Sequence, residues 1–583
     1  MKLPFIPEDA PFSGDQRAWL GGFLAGLHSR KALGDFGSPA LAVNAAPVAQ
    51  KAIDILYGTQ TGNAEEVANE AAALAKTRGF APRVEELDAI DMDRLSQMDT
   101  VIIVVSTYGE GEMPDNAHMF WEALSSGTAP RLESLNFGVL ALGDTSYDGF
   151  CQAGKLIDMR LEQLGAKRLG ARVDCDVDFE DAASLWLGEV MPKDGGAAQT
   201  VETPADIVPQ KTGWGRKNPY SARVIENRLL SGAKSAKEIR HFAFDMGDSG
   251  MTYEAGDALG VMPVNNAGLV DTLLQRLGAS ADHMIDGYDA PLGVLLTKKF
   301  EIATPSKELI NEIGKRAGHD ELSHVIANGD KEAMEAFLWG RDTLDLINLA
   351  PEMTLAPEDF VSWLKPLQHR AYSISSSPKA HPGEVHLTVA AVRWLYENRA
   401  HGGVCSTFLS DLASEGTETP IFMSPNKSFR VPEDDSVPMI MVGPGTGIAP
   451  FRAFLEERQA RGAKGMNWLF FGDQHRASDF IYEDEISDMS TSGLLTRLDL
   501  AFSRDQAEKI YVQNRMEENG KALYGMLEKG GHFYVCGDAT RMARDVDAAF
   551  HKIIETQGAM TPEAATEYVN RLKREKRYVR DVY

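Results

Sequence analysis

The chain has 583 residues, of which 43% are hydrophobic and 25% charged, and this length predicts about three to four globular domains. Its formal charge of −26 disfavours nucleic acid and anionic membranes as partners and favours docking to a basic protein surface. The four cysteines form no Cys-x-x-Cys pair, and no apolar run reaches the length of a membrane span, so we expect a cytoplasmic protein without a signal peptide, disulfide scaffold or metal site.

The first half of the chain predicts an extension and then a doubly wound domain. Residues 1–48 form the extension, with a helix around residues 15–29, and residues 49–193 alternate short apolar strands with helices. The predicted elements are the strands Ile53–Tyr57, Val101–Val105 and Val139–Leu142 and the helices Ala64–Lys76 and Gly154–Leu164. Apolar strands separated by helices predict a parallel sheet covered on both faces.

A linker is predicted at residues 194–214, followed by a barrel at 215–436 and a second doubly wound domain at 437–583. The barrel strands are predicted at Tyr220–Ile225, His241–Asp245, Asp257–Pro263, Arg370–Ser376 and Val385–Val392. Residues 266–365 are predicted to form a helical insertion, with an apolar stripe of Leu273, Leu277, Leu309, Ile310 and Ile313. The last domain is predicted from the strands Met439–Val442, Trp468–Gly472 and Phe533–Cys536.

Three unusual loops follow strands of the first doubly wound domain, where ligands bind in such folds. The first loop is rich in hydroxyls without a lysine, which suits a single phosphate, and the other two place a tyrosine beside glycines, which suits a flat ring. The loops contain the candidate residues Thr59, Gln60, Thr61, Gly62, Asn63, Ser106, Thr107, Tyr108, Gly109, Gly111, Leu142, Gly143, Asp144, Ser146, Tyr147, Phe150 and Cys151. Together they resemble the flavodoxin family, which implies that this domain binds FMN between Tyr108 and Tyr147.

A second nucleotide site is predicted on the barrel. An arginine can fork onto a pyrophosphate, and a glycine turn that opens a helix can cradle it. The candidate residues are Arg370, Ala371, Tyr372, Ser373, Thr388, Val389, Ala390, Trp394, Gly403, Val404, Cys405 and Ser406. This arrangement, with the segment 256–261, resembles the FAD barrel of the ferredoxin–NADP reductase family, in which Trp394 stands where many members have tyrosine.

The last domain carries a third phosphate turn, Gly443–Pro450, which departs from the Gly-x-Gly-x-x-Gly fingerprint but resembles the pyrophosphate turn of the same reductases. Cations and hydroxyls close together can hold the 2′-phosphate that distinguishes NADPH from NADH. The candidate residues are Thr446, Ser503, Arg504, Lys509, Tyr511, Gln513, Asp545 and Tyr583.

The order of these modules resembles the diflavin reductases. The resemblance implies electron flow from NADPH to FAD to FMN and then to a haem or iron–sulfur protein. It assigns catalytic roles to Ser373, Cys536, Asp581 and the terminal aromatic Tyr583. The Asp-Val-Tyr ending and residues 16–23 favour the branch that serves a sirohaem protein, in which the N-terminal segment supports assembly, including a homo-oligomer.

Two other readings stay open on the sequence. The chain could be a reductase for another haem enzyme or for quinones and dyes, with the same electron path. It could also be a flavin-bearing scaffold whose nucleotide sites no longer turn over, although the intact Ser503-Arg504 pair and the Asp581–Tyr583 ending argue against this.

Overall fold

A computed structural model describes residues 50–195, except 61, 110, 146 and 148, and residues 213–583. The predicted N-terminal extension with its helix, Thr61, Ser146 and most of the predicted linker lie outside the described residues. At the two ends of the linker, backbone hydrogen bonds join Gly195 to Lys51 and Arg78, and the Trp214 indole donates to the Ser249 carbonyl oxygen over 3.0 Å.

The first module is a parallel sheet between two layers of helices. Its strands run in the order β2-β1-β3-β4-β5, with β6 also paired to β4. In chain order its elements are β1 (Ala52–Gly58), α1 (Asn63–Thr77), β2 (Ala81–Glu86), α2 (Met92–Ser96), β3 (Thr100–Ser106), α3 (His118–Ser125), β4 (Asn136–Leu142), α4 (Gln152–Gln163), β5 (Lys167–Arg168), β6 (Val173–Cys175) and α5 (Glu180–Val190). Helices α1 and α5 cover one face, and α3 and α4 cover the other, so the central strands are buried on both sides.

The second module combines an antiparallel barrel with a helical insertion. Its elements are β7 (Tyr220–Leu229), β8 (Glu238–Asp245), β9 (Ala258–Val261), α6 (Ala267–Leu277), α7 (Leu292–Lys298), α8 (Lys307–Ala317), α9 (Asp320–Asn328), α10 (Lys331–Leu338), α11 (Thr343–Asn348), α12 (Pro357–Ser362), β10 (Arg370–Ser373), β11 (Glu384–Ala391), β12 (Arg393–Tyr396), β13 (Arg399–Gly402), α13 (Val404–Asp411) and β14 (Glu418–Ser424). The strand order is β10-β9-β14-β7-β8-β11, and an antiparallel bridge between Ile374 and Leu387 links the two ends into a barrel.

The helical insertion begins and ends its helices at residues suited to capping. The Asn266 and Ser306 side chains accept hydrogen bonds from the third backbone N–H of α6 and α8, and glycines in the left-handed region, Gly278 and Gly318, follow their last turns. The predicted apolar stripe is buried in one core shared by these helices.

The third module is again a parallel sheet with helices on both faces, in the strand order β17-β16-β15-β18-β19. Its elements are β15 (Met439–Val442), α14 (Ala449–Arg461), β16 (Asn467–Asp473), α15 (Arg476–Asp479), α16 (Glu483–Thr491), β17 (Arg497–Phe502), α17 (Val512–Glu518), α18 (Gly520–Leu527), β18 (His532–Gly537), α19 (Met542–Gly558), α20 (Pro562–Arg574) and β19 (Tyr578–Val582). The predicted fold class, two doubly wound modules around an antiparallel barrel with a helical insertion, is confirmed.

The first module packs its loop-bearing edge against the other two modules through polar contacts. Anionic side chains of the first module meet cationic side chains of the second and third. These ion pairs are Glu65–Lys427, Glu86–Lys576 and Asp115–Arg580. Within the described ranges, no helix is long and apolar enough to cross a membrane.

Candidate functional site

The three loops of the first module converge because β1, β3 and β4 are neighbours in the parallel sheet. Asn116 accepts a hydrogen bond from the Thr59 backbone N–H over 2.8 Å, and Gln60 accepts one from the Asp115 N–H over 3.1 Å. The Thr107 backbone N–H donates to the Leu142 carbonyl oxygen over 2.9 Å. The sheet therefore joins the first loop to the second and the second to the third at one cleft.

The beginning of helix α1 suits a phosphate. Gly62 stands at the N-cap with φ +91°, and no side chain of the described residues caps this helix. Its first backbone N–H groups thus remain available, as a phosphate requires. The loop brings no cation of its own. Lys427 of the second module contacts the first turn of this helix, with its ammonium 2.5 Å from the Glu65 carboxylate.

The aromatic residues of this cleft differ in their surroundings. Tyr147 is about half exposed, whereas the Tyr108 hydroxyl donates to the Val582 carbonyl oxygen over 3.1 Å. Burial raises the pKa of Tyr108 to about 12, so it remains a neutral donor at physiological pH. The thiol of Cys151 turns into the core, towards the carbonyl oxygens of Ala141 and Cys175. Cys151 therefore offers its backbone, and not its sulfur, to the cleft.

The second cleft lies beside β10. The Arg370 guanidinium is partly exposed and donates to the carbonyl oxygens of Gln368 and His369. The side chains of Tyr372 and Cys405 interact, and burial raises the pKa of the Cys405 thiol to about 11. Gly403 caps α13 without a side-chain hydrogen bond, so this helix also presents free N–H groups.

A cavity of about 280 Å³ lies at the beginning of α13, where Gly402 and Val404 line it on either side of Gly403. Its lining includes Arg393, Trp394, His401 and Thr407. The Trp394 ring stacks on His401, with ring centroids 5.5 Å apart and planes 17° apart, and its indole N–H donates to the Gly340 carbonyl oxygen. The cavity combines an aromatic plane, a cation and a helix N-terminus, which is a donor set that fits a nucleotide.

The predicted segment Thr388–Ala390 takes less part in this cleft. Thr388 is buried and its hydroxyl lies 2.7 Å from the Tyr482 hydroxyl of the third module. Val389 packs in the barrel core, and Ala390 packs against the core of the third module. These contacts direct the Val389 side chain to the barrel core and those of Thr388 and Ala390 to the third module.

The third cleft opens at the turn after β15. A Cβ on Gly447 would lie 2.2 Å from the Cys536 carbonyl oxygen, and one on Gly443 would lie 2.5 Å from the Gly447 carbonyl oxygen. Only glycine permits the turn to pack this closely on β18. The resulting surface brings backbone within reach of a pyrophosphate.

Candidate 2′-phosphate ligands lie along the segment that follows β17. Ser503 is nearly buried and donates to the Asp473 carbonyl oxygen over 3.3 Å. Arg504 and Lys509 are exposed, and their side chains make no hydrogen bond or ion pair with other described residues. Tyr511 is half exposed, and the Gln513 amide donates to the Asp545 carboxylate over 3.1 Å. Two unpaired cations beside a hydroxyl suit an exposed phosphate.

The clefts meet at the end of the chain. The register of β18 and β19 places Asp581 beside Cys536, with the thiol 3.9 Å from the carboxylate, while the Ser373 hydroxyl donates to the same carboxylate over 2.5 Å. Burial raises the pKa of Asp581 and of Cys536 above their usual ranges. Tyr583 is 61% exposed, and its hydroxyl lies 2.8 Å from that of Thr446. All four predicted catalytic residues therefore lie within one site.

Sequence reasoning missed Asp115 and Asn116, which brace the first loop, and Arg580, which binds Asp115. Their position just beyond the glycine-rich loop after β3 is the signal that could have found the first two. Arg580 carries no local signal, because its partner lies 465 residues away.

Comparisons with known proteins match each module. The flavodoxin family model matches residues 55–186, the FAD-binding domain model matches 214–287 and 292–408, and the oxidoreductase NAD-binding domain model matches 441–548. The sulfite reductase (NADPH) flavoprotein alpha-component of Bacillus subtilis (strain 168) is 42% identical over 100% of this chain and 99% of its own length. Proteins with the same name from Shewanella sp. (strain MR-7) and Vibrio cholerae serotype O1 are each 41% identical over 98% of this chain, covering 96% and 94% of their own lengths.

These matches confirm the three predicted cofactors, FMN, FAD and NADPH, and the predicted diflavin architecture. The clefts fit them, because two uncapped helix starts and a glycine turn offer backbone donors to phosphates, and aromatic planes line the first two clefts. With full-length relatives above 40% identity, the chain belongs to the family of NADPH-dependent sulfite reductase flavoprotein alpha-components.

Proposed function

We propose that this chain passes electrons from NADPH through FAD and FMN to a sirohaem and iron–sulfur partner, the sulfite reductase hemoprotein. The observation that carries the proposal is the contact between Tyr108 and Val582. It sets the ring-binding loop of the first module against the strand that holds Asp581. The two redox clefts then lie next to each other, as direct electron transfer requires.

The chemistry divides between cofactors and protein. When bound, a flavin takes up a hydride and gives up electrons one at a time, which is what a haem acceptor needs. With FAD and the nucleotide bound, Asp581 would favour the positive charge that forms on nicotinamide, and Ser373 and Cys536 would place polar hydrogens at the reacting edge of the ring. With FAD bound, Tyr583 would cover the ring face and would have to move before nicotinamide could enter. Arg504, Lys509 and Ser503 hold the 2′-phosphate.

Delivery to the partner requires the first module to expose its loop-bearing edge. The contacts that hold this edge are mostly ion pairs between partly exposed side chains, and such pairs contribute only about 0–1 kcal/mol each. The module can therefore separate at low cost. The edge that it then exposes carries Glu65, Glu86 and Asp115, which suits a basic docking surface.

We further propose a cytoplasmic location, since Cys151, Cys175, Cys405 and Cys536 are all free thiols. Residues 1–48 are proposed to support assembly and homo-oligomer formation, as the resemblance implies.

Anaerobic mixing with NADPH tests the function. We expect bleaching of the flavin absorbance and, after addition of the hemoprotein, NADPH-dependent reduction of sulfite. Purified protein that contains only one flavin, or that bleaches without ever reducing the hemoprotein, would contradict the proposal.

A further inference from the structure

The sequence predicts no metal site, yet the fold brings two histidines and a glutamate together on the outside of the barrel. They lie in the segment His381-Pro-Gly-Glu384-Val-His386, where a turn leads into β11. One ligand atom from each of His381, Glu384 and His386 lies within 4.8 Å of the others. None of the three belongs to the nucleotide clefts described above.

The alternation of β11 sets the direction of two of these side chains. Val385 and Leu387 point into the barrel core, so Glu384 and His386 point to the opposite face, towards helix α14 of the third module. The His386 Nε2 lies 3.0 Å from the Glu384 carboxylate, and the His381 Nδ1 lies 3.9 Å from the same oxygen. One carboxylate oxygen is thus shared by two imidazole nitrogens.

The surroundings resemble the outer shell of a metal centre. His381 turns its other nitrogen, Nε2, to the Glu456 carboxylate of α14 over 3.1 Å. A metal-binding histidine usually donates its second N–H to a carboxylate in this way, which fixes the ring and strengthens the ligand. Glu456 is itself held by the Arg452 guanidinium at 3.0 Å and by the Ser377 backbone N–H at 2.9 Å. Glu456 is therefore an outer partner and not a ligand.

The neighbouring charged side chains also leave the Glu384 carboxylate available to bind a metal ion. In the described part of the chain, its carboxylate forms ion pairs with the two imidazoles and with no lysine or arginine. Its side chain is 40% exposed and that of His381 30%, whereas His386 is almost fully buried. One side of the cluster is thus open to an entering ion and to a water as fourth ligand.

A second cluster, Asp342, Asp345 and His401, has comparable spacing but different charge. The Arg399 guanidinium already lies 2.5 Å from Asp342 and 2.7 Å from Asp345. An ion would have to displace this cation, so the second cluster serves as a comparison and not as a candidate.

We propose that His381, Glu384 and His386 form a binding site for a divalent transition metal, and that the bound ion ties the barrel to helix α14. Two imidazoles, one carboxylate and an open position are the ligand set that Zn²⁺ accepts in proteins, and the same set also accepts Ni²⁺ and Co²⁺. The His381 imidazole also contacts the Glu456 carboxylate of α14. An ion that holds His381 in place therefore stiffens this contact between the barrel and the third module.

Equilibrium dialysis of the full-length flavin-loaded protein, without a histidine tag, against buffered Zn²⁺ tests the site by elemental analysis. We expect one strongly bound Zn²⁺ per chain, and affinity lower by at least about tenfold in His381→Ala and in Glu384→Gln. His283→Ala removes a histidine that pairs with Glu358 at 2.8 Å elsewhere on the insertion, and it should bind Zn²⁺ as the wild type does. His401→Ala should do the same.

Thermal unfolding gives a second readout, since an ion that binds only the folded state raises the midpoint. Zn²⁺ should raise the midpoint of the wild type and of His283→Ala, but not that of Glu384→Gln, whose flavin content shows that it is folded. The proposal is overturned if the wild type binds no stoichiometric Zn²⁺, if Glu384→Gln binds it as tightly, or if His401→Ala is the variant that loses it.

Discussion

Ser373 and Asp581 lie 208 residues apart in the chain, yet the serine hydroxyl donates a 2.5 Å hydrogen bond to the aspartate carboxylate. One residue belongs to the barrel and the other to the last strand of the third module. The bond joins the predicted FAD cleft to the predicted nicotinamide cleft. Among the described residues, the Ser373 hydroxyl and the Cys536 thiol contact this carboxylate, and its negative charge would stabilise a positive charge that forms beside it.

Asp581→Asn should slow flavin reduction by NADPH by roughly tenfold or more, because the variant lacks the negative charge that stabilises the nicotinamide cation. Burial raises the pKa of Asp581, so the ionised carboxylate that assists the reaction is lost as pH falls through that raised pKa. The wild-type hydride rate should therefore fall at low pH, and the variant should show a flatter profile in anaerobic stopped-flow measurements.

The same substitution should not weaken the fold. A carboxyl whose folded pKa exceeds its unfolded value costs folding free energy once it is ionised, so folding becomes more favourable as pH falls. At pH 8 the unfolding midpoint of Asp581→Asn should equal or exceed that of the wild type. A large drop in the midpoint would mean that the slow hydride transfer reflects damage to the fold.

Cys536→Ala should slow hydride transfer while both flavins remain bound. The thiol lies 3.9 Å from Asp581 and burial raises its pKa, so it acts as a neutral donor. Cys536→Ser retains a donor and should recover part of the rate. Equal rates in wild type and Cys536→Ala, with matched flavin content, would remove the cysteine from the mechanism.

Much of this arrangement could be predicted from sequence because it is local. Strand periodicity and glycine-rich turns predicted the modules and the positions of the clefts. Gly447 shows why a turn can be predicted from its glycines, since no other residue fits against Cys536. Side-chain direction was harder to predict. Thr388 is itself a predicted FAD-binding residue, but the pleat of β11 turns its hydroxyl to Tyr482. The pairing of Asp115 with Arg580 depends on how whole modules dock, which no local pattern encodes.

Tyr583→Ala should relax the preference for NADPH over NADH, because the terminal ring would no longer compete with nicotinamide. Its hydroxyl lies 2.8 Å from Thr446, so Tyr583→Phe separates this hydrogen bond from the ring itself. We expect Tyr583→Phe to keep the wild-type preference in steady-state assays with both nucleotides. If Tyr583→Ala keeps it too, the terminal residue does not cover the ring.

Arg504→Ala should raise the KM for NADPH by about tenfold, the loss expected for one hydrogen bond to a charged group. The KM for NADH should change little, because NADH lacks the 2′-phosphate. Lys521→Ala removes an exposed cation from α18 of the same module and serves as a matched control. Equal effects of Arg504→Ala on both nucleotides would contradict the assignment.

The ion pair between Asp115 and Arg580 is one of the contacts that should hold the first module in its docked position. Both side chains are about 30% exposed. Burial lowers the pKa of Arg580, but the negative charge of Asp115 and the other neighbouring acidic groups raise it by more, so the guanidinium stays charged and removing one partner leaves the other without its counter-charge. In Arg580→Ala we expect slower electron transfer between the flavins after mixing with NADPH, and a larger radius of gyration by small-angle X-ray scattering. Added salt should reproduce both changes in the wild type and affect the variant less, because screening acts on charges that the variant lacks.

Lys552→Ala breaks a 2.7 Å pair with Glu517 within the third module and should change neither quantity. An unchanged radius of gyration in Arg580→Ala, together with a wild-type transfer rate, would show that apolar and backbone contacts, and not this pair, hold the modules together.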